Sequence, residues 1–281
     1  MARTGRGRAA KIDYPAQLAE FETWLDTPLG QAMLADQGMQ VNRLTQGLSG
    51  VHQLWIGPGL RHRLKGEGDF AHCFSALPRW HEHIPDGTLV CDADELPFSN
   101  GSMDLVVLQH AHDFSGWPHQ VIREACRVLR SKGHLLLIGF NPLSLWGLRK
   151  LFSRQPSAPW SGRFLFRNRL EDWLNLLDLE TLSSDSHFYP PPFRHPAKLK
   201  SLKLLQRLRG ERFLPFGAYY CILASKQTVA RVAKRPRWAS ANVIPLSAPR
   251  ALGPTGVPQR GAVKRAYDPE SSHLYRRRLQ R

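Results

Sequence analysis

The sequence predicts an α/β fold built on a mainly parallel, doubly wound sheet with helices on both faces. Stretches with helical periodicity alternate with short apolar runs, and the first five runs are separated by about 10 to 25 residues. The runs are almost continuously apolar, as strands buried on both faces are. This alternation is typical of parallel sheets whose strands are joined by helices. The predicted strands are residues 52–56, 70–76, 87–92, 103–111, 133–140 and 217–225.

Residues 13–49 are predicted to form a helical preface to this sheet. Leu, Phe and Trp recur at helical spacings in the segment LAEFETWLDTPLGQAMLADQ. Pro28 and Gly30 interrupt the pattern, which indicates two short helices in place of one long helix.

Three further helices are predicted. In residues 117–133, Pro118 stands where a missing N–H costs least, and Gly133 can end the helix. Residues 168–179 show the same periodicity. Residues 196–213 carry leucines on one side and mostly Lys or Arg on the other, so this helix packs on the sheet edge or lies on an anionic membrane. The apolar stripe of the first of these helices is Val121, Ile122, Ala125, Val128 and Leu129.

The positive charge of the chain is concentrated near its ends. The formal net charge is +16, from 39 Lys and Arg against 23 Asp and Glu. Residues 1–11 carry four basic groups and no acid, and residues 226–281 carry thirteen basic groups and two acids. We therefore expect a disordered basic N-terminus over residues 1–12, a nearly neutral segment from there to residue 225 that contains a folded domain over residues 50–225, and a disordered basic tail over residues 226–281. The tail either improves solubility or binds nucleic acid non-specifically through its phosphates.

Cysteine usage and hydropathy narrow the class of protein. The four cysteines are widely scattered and form no CxxC pair, which disfavours a disulfide framework and a zinc site, so no metal is expected. No apolar run follows the basic N-terminus as in a secretory signal, and no 18 consecutive apolar residues occur. We expect a soluble, cytoplasmic protein.

Motifs between about residues 51 and 143 carry a family resemblance. The segments CDADELPFSNGSMDLVVLQHAHDF and REACRVLRSKGHLLLIGF, followed by Asn-Pro, resemble successive stretches of class I S-adenosylmethionine-dependent methyltransferases of the type-11, ubiquinone-biosynthesis-like kind. The segments IGFNPLSLWGLRKLF, RLEDWLNLLDLE and YPPP resemble an uncharacterised bacterial subgroup of that superfamily and extend the match to about residue 225. The resemblance implies a seven-stranded, Rossmann-like sheet with S-adenosylmethionine bound at the carboxyl ends of its first strands.

The resemblance also implies roles for residues that follow two of the strands. In that family an Asp-Ala pair after the third strand faces the adenine, which implies the same contact for Asp92 and Ala93. A loop or cap carboxylate is the alternative for Asp92. Gln109 and His110 look like residues that line the pocket beside the methionine part of the cofactor, although His110 and His112 can equally be histidines of the rim. No catalytic residue is identified.

The turn after the first strand, VHQLWIGPGL, matches only half of the family's glycine motif. Gln53 stands at the acidic position, and Gly57 and Gly59 stand on later glycines, so all three are candidate cofactor contacts. Trp55 stands at the first glycine, where a missing Cβ lets the ligand approach. Only about ten residues separate this turn from the second strand, too few for a full helix. Ser75 is all that remains where the family has an acid for the ribose.

The predicted function is an S-adenosylmethionine-dependent methyltransferase that acts on a small-molecule or lipid-like acceptor. Catalysis then depends mainly on the alignment of the methyl donor with a nucleophile. One alternative is a pseudo-methyltransferase that keeps the fold as an interaction module with weak or no cofactor binding. A further alternative is an RNA methyltransferase or RNA binder that uses the basic tails.

Overall fold

A computed structural model describes residues 14–80, 84–153, 157–188, 190–192 and 217–227. The predicted basic N-terminus, the predicted helix over residues 196–213 and the predicted tail from residue 228 onward lie outside these residues. No helix within the described ranges is long and apolar enough to span a lipid bilayer.

Two N-terminal helices precede a seven-stranded sheet, and three further helices lie in the connections between its strands. The helices are α1 (Tyr14–Leu25), α2 (Pro28–Thr45), α3 (Pro118–Val128), α4 (Leu145–Phe152) and α5 (Arg167–Leu176). The strands are β1 (Ser49–Ile56), β2 (Asp69–Leu77), β3 (Thr88–Val90), β4 (Met103–Gln109), β5 (Leu129–Phe140), β6 (Leu179–His187) and β7 (Tyr219–Lys226).

The strand order is β3-β2-β1-β4-β5-β7-β6. Strand β7 runs antiparallel to both of its neighbours, and the other adjacent pairs are parallel. The predicted α/β class and the seven strands are therefore confirmed, in a mixed sheet. Because the order reverses between β1 and β4, the carboxyl ends of these strands form the crevice where ligands bind in open α/β sheets.

The predicted helical preface is present, with its break where the sequence places it. Thr27 caps α2 by accepting a hydrogen bond from the backbone N–H of Gly30 at 3.2 Å, and Pro28 occupies the first turn. Apolar side chains of both helices, among them Phe21 and Met33, pack in one core with Trp55. The preface is thus part of the core of the sheet.

Helices α1 and α2 cover a face on which no helix joins β1 to β2. That connection holds only a 3-10 turn at Leu60–His62, which confirms the expectation that the segment is too short for a full helix. Helices α3 and α5 cover the opposite face, where Val121 and Leu170 pack in a second core with Val106. Helices therefore lie on both faces, as predicted.

Several predicted element boundaries differ from the observed ones; the helix predicted over residues 168–179, for example, ends at Leu176. Helix α3 ends at Val128 and not at Gly133, because Leu129 already pairs with Met103 in the sheet and the register shifts before His134. Lys226, which the sequence assigns to the tail, ends β7, and its ammonium donates to the carbonyls of Cys126 and Leu129 at 2.7 and 2.8 Å. A cation at these carbonyls stabilises the C-terminal end of a helix. Strand β6, with the polar sequence LETLSSDSH, was not among the predicted strands.

Glu124 and Arg127 hold the loop that connects β3 to β4. The Arg127 guanidinium donates to the carbonyls of Leu96 and Phe98 at 2.9 and 2.8 Å and to the Glu124 carboxylate at 2.8 Å. The hydrogen bonds from Arg127 lower the pKa of Glu124. This pair is structural, and it fixes the loop that begins with Asp92.

Candidate functional site

A cavity of about 850 Å³ opens at the carboxyl ends of β1 to β4. This volume lies near the upper end of the roughly 300–1,000 Å³ that small-molecule sites occupy. The end of β1 contributes Ile56 and Gly57, the end of β2 contributes Ala76 and Pro78, and helix α1 contributes Tyr14. The cavity therefore lies where the strand order predicts a ligand.

One end of the cavity, after strand β3, is acidic. Asp92, Ala93 and Asp94 line it, and the Asp92 side chain is exposed. The neighbouring Cys91 also lines it, and burial, with a smaller contribution from the charge of Asp92, raises the pKa of its thiol to about 11. The thiol is therefore protonated at neutral pH, and Asp92 and Asp94 are the acidic groups at this end.

The other end of the cavity is basic and aromatic. Arg163 precedes α5 and Arg169 lies within it, and both are exposed at the cavity. The guanidinium of Arg163 lies 5.3 Å from the ring centroid of Tyr14 and donates to its hydroxyl, while the Arg163 backbone N–H donates to the carbonyl of Asp113 at 2.6 Å. Arg163 is thereby held between helix α1 and the end of β4. The remaining lining residues of this end are Phe114, Ser115, Gly116, Trp117, Pro118, His119, Leu165 and Trp173.

The glycine turn after β1 is organised around the Trp55 side chain. The indole is fully buried, and its Nε1–H donates to Oε1 of Gln109 at 3.0 Å. A Cβ at Gly57 would overlap the benzene ring of this indole, whose atoms are the nearest neighbours of that position. Gly57 is therefore required by the tryptophan, and the indole points into the core with α1 and α2.

A relay of hydrogen bonds runs from Trp55 through four other buried side chains. Gln109 Nε2 donates to Oε1 of Gln37 at 3.4 Å, and Gln37 Nε2 donates to Nε2 of His110 at 2.8 Å. The opposite ring nitrogen of His110, Nδ1, then donates to Oδ2 of Asp113 at 2.8 Å. The relay ties β1, α2 and the end of β4 together.

Burial favours the neutral form of both partners at the end of this relay. It lowers the pKa of His110 to about 3 and raises the pKa of Asp113 to about 7. The Asp113 carboxyl also accepts the backbone N–H of Phe140 at 3.0 Å, whereas its Oδ1 has no hydrogen-bond partner in the described part of the chain. His112, which donates to or accepts from the Tyr220 hydroxyl at 3.1 Å, is buried as well. These histidines belong to the core and not to a rim.

The structure brings together three of the seven predicted contact residues. Gly57, Asp92 and Ala93 line the cavity. Four others lie away from its lining. Gln53 is buried within β1 beside Cys73, and Gly59 packs against the Glu22 side chain. Gln109 and His110 are fully buried in the relay, so neither faces the position expected for the methionine part. Ser75 is also fully buried, and its hydroxyl has no partner among the described residues.

Sequence reasoning missed the basic and aromatic wall. Tyr14 and Arg163 lie outside the matched segments. Arg169 and Trp173 lie in the segment RLEDWLNLLDLE, to which the resemblance assigned no contact with the cofactor. The only available signal was the pair of arginines flanking the short segment FLFRN, next to a helix that carries a tryptophan.

Comparison with known proteins identifies the family. Residues 73–137 match the family described as Methyltransferase domain, type 11. The chain is 32% identical over 189 residues to the uncharacterised protein YafS of Escherichia coli strain K12, covering 66% of this chain and 76% of that protein. The chain belongs to the class I S-adenosylmethionine-dependent methyltransferases of the type-11 family. S-adenosylmethionine is the cofactor of this family.

A solved structure supports the same fold. A methyltransferase from Thermotoga maritima, described as a possible histamine N-methyltransferase, superimposes with a TM-score of 0.53 at 18% identity. The match covers 76% of this chain and 98% of that chain. The chain therefore keeps the methyltransferase sheet although only a 3-10 turn lies between β1 and β2.

The contact between Trp55 and Gly57 predicts a strong coupling between the two positions. We expect Gly57→Ala to lower the free energy of unfolding by about 2 kcal/mol or more, because the added methyl overlaps the indole. In a Trp55→Leu background the same change should cost less than about 1 kcal/mol, since the obstacle is gone. Urea denaturation of the four proteins measures this. Gly38→Ala is the control, because nothing lies near a Cβ there. An equal cost of Gly57→Ala in both backgrounds would contradict the assignment.

The raised pKa of Asp113 predicts that the effect of Asp113→Asn on the free energy of unfolding depends on pH. The ordinary pKa of an aspartate is about 3.9, and in the folded protein it is about 7. The folded protein therefore binds more protons than the unfolded chain between these values, and this contribution to stability is lost as the pH rises. His110 acts in the opposite direction below about pH 6.5 and hides the effect in the unmodified protein.

We expect the free energy of unfolding of the unmodified protein, minus that of Asp113→Asn, to fall by about 2 kcal/mol or more from pH 4.5 to pH 7. Urea denaturation at several pH values measures it, with Asp86→Asn on the surface as the control for a lost charge. A difference that rises with pH over this window would show that Asp113 is ionised in the core.

Proposed function

We propose that the chain transfers the methyl group of S-adenosylmethionine to a small-molecule or lipid-like acceptor that binds in the same cavity. The observation that supports this most is the cavity itself, which lies at the carboxyl ends of β1 to β4 and carries Asp92 and Ala93 on its wall. On this proposal residues 50–225 form the methyltransferase domain, to which α1 contributes a wall from outside.

The residues of the cavity offer the cofactor one of the family's usual contacts and lack two others. The exposed Asp92 carboxylate can accept the adenine amino group, as the family resemblance implies. The ribose has no acid at the end of β2, because Ser75 is buried and Pro78 lines the cavity there. The helix that would present its N-terminus to the methionine part is absent.

Arg163 offers a replacement for that helix N-terminus. Its guanidinium is exposed at the cavity and is held by Tyr14 of α1, while its backbone is anchored to Asp113 after β4. No carboxylate within the described ranges pairs with it at salt-bridge distance. We assign it the methionine carboxylate, since charge-assisted hydrogen bonds from arginine are among the stronger polar contacts.

The bound cofactor supplies an electrophilic methyl group on its sulfonium, and the residues of the cavity hold the cofactor and the acceptor in position. The acidic end orients the adenine, Arg163 orients the opposite end of the cofactor, and the apolar residues Phe114 and Leu165 at the Arg163 end exclude water. Holding two reactants in the reactive geometry accounts for a large part of catalysis in such reactions. An acceptor that is already nucleophilic needs no general base.

A pseudo-methyltransferase is the second candidate, and specific observations favour it. The indole of Trp55 stands where the family has its first glycine, the ribose acid is absent, and the helix after β1 is missing. If these losses abolish cofactor binding, the fold serves as an interaction module. The RNA alternative depends on the basic tails, which lie outside the described residues, and stays a prediction.

Calorimetric titration with S-adenosylhomocysteine and S-adenosylmethionine tests the proposal. We expect both to bind, and we expect Asp92→Asn and Arg163→Gln each to weaken binding about tenfold, as for the loss of a hydrogen bond to a charged group. Glu95→Gln is the matched control, because Glu95 is an exposed acid of the same loop that does not line the cavity. Absence of binding to the folded protein would favour the pseudo-methyltransferase.

A further inference from the structure

The basic and aromatic wall of the cavity has features that the cofactor does not use. Once adenine is assigned to Asp92 and the methionine carboxylate to Arg163, the side chains of Trp117, His119, Arg169 and Trp173 remain on the lining. We call these four residues the outer wall. They come from the start of α3 and from α5, on the face of the sheet opposite α2.

Three rings of the outer wall contact one another in a row. The His119 ring meets the Trp117 ring edge to face, with centroids 6.1 Å apart and planes at 87°. It meets the Trp173 ring in the same way, at 6.2 Å and 74°. His119 thus braces the two indoles, and Trp117 remains 64% exposed at the cavity. A large exposed indole on a cavity wall is a surface on which a planar ring can stack.

Arg169 adds a positive charge beside this row. Its guanidinium carbon lies 5.1 Å from the ring centroid of Trp173, and the residue is exposed. Arg167, two residues earlier, lies 3.6 Å from the Glu171 carboxylate, but no acid within the described ranges pairs with Arg169 at salt-bridge distance. A guanidinium that stacks on an indole and has no acidic partner is available to an anion, which it can bind with two parallel hydrogen bonds.

The acids of the cavity lie at its other end. Asp92 and Asp94 follow β3, at one edge of the sheet, whereas α5 packs against β6 at the opposite edge. The cavity is therefore polarised, with carboxylates at the adenine end and a guanidinium at the outer wall. A cationic acceptor would be repelled from the outer wall, and an anionic acceptor would be attracted to it.

We propose that the outer wall binds the methyl acceptor and that the acceptor is a planar aromatic ring carrying a carboxylate or phosphate group. The ring stacks on the aromatic side chains of the outer wall, and the anionic group binds Arg169. This inference rests on the proposed methyltransferase function and names the acceptor class of the same cavity.

Equilibrium titrations with small aromatic probes, followed by protein NMR, test this assignment. The probes are 2-naphthoate, 2-naphthyl phosphate, the neutral 2-naphthamide and the non-planar anion octanoate. We expect at least one naphthyl anion to bind about tenfold more tightly than naphthamide and octanoate, because only a naphthyl anion offers both a planar ring to the outer wall and a negative charge to the guanidinium. The stronger of the two naphthyl anions tells carboxylate from phosphate. Equal binding of naphthamide or octanoate overturns the proposal.

Variants of the outer wall locate the binding. Arg169→Gln and Trp117→Ala should each weaken binding of the naphthyl anion about five- to tenfold. Arg61→Gln and Trp80→Ala are the matched controls, because both residues are exposed and neither lines the cavity. Affinity unchanged in Arg169→Gln overturns the assignment.

S-adenosylhomocysteine is titrated into the same samples to separate this inference from the proposed function. If it binds and no naphthyl anion does, the acceptor assignment is wrong and the methyltransferase proposal stands. If a naphthyl anion binds through Arg169 and S-adenosylhomocysteine does not, the anion site stands as a binding site and the methyltransferase proposal is wrong.

Discussion

The packing of the Trp55 indole against Gly57 is the constraint on which the rest of the site depends. A side chain of this size at the end of β1 must be buried, and its N–H must find a partner. It points into the core that α1 and α2 share with the sheet and donates to Gln109 of β4. The relay through Gln37 then ties α2 to the same strand ends. The tryptophan in place of the first glycine thus occurs together with the covering of this face of the sheet by α1 and α2.

The position of α1 and α2 on this face changes which parts of the chain form the cavity. Because the segment between β1 and β2 holds only a 3-10 turn, the face that a connecting helix would cover is covered by α1 and α2. Tyr14, at the start of α1, consequently reaches the cavity and holds Arg163 there. The chain has lost a helix N-terminus and an acid for the ribose, and it presents an arginine on the cavity wall. The cavity is kept although two of the family's customary contacts are absent from it.

The sequence was sufficient for features that depend on local patterns. Continuous apolar runs located six of the seven strands, and Pro28 located the break between α1 and α2. Strand β6 was not predicted because it is a polar edge strand. The end of α3 was predicted too late because the apolar Leu129 fits the buried face of a helix as well as a buried strand. Asp92 and Ala93 reach the cavity because they directly follow a strand. Gln109 and His110 do not, because their partners Trp55 and Gln37 are distant in sequence, and no local pattern reveals such a relay. Arg163 and Tyr14 are also distant in sequence, so no local pattern predicted their contact at the cavity.

We expect the cavity to bind the cofactor while the Trp55 side chain stays in place. A crystal structure of the protein grown with S-adenosylhomocysteine tests this most directly. We expect the adenine amino group within hydrogen-bond distance of the Asp92 carboxylate, with the Trp55 indole still packed on Gly57 and hydrogen-bonded to Gln109. A structure in which the ligand displaces the indole, or in which the cavity stays empty at saturating ligand, would contradict it.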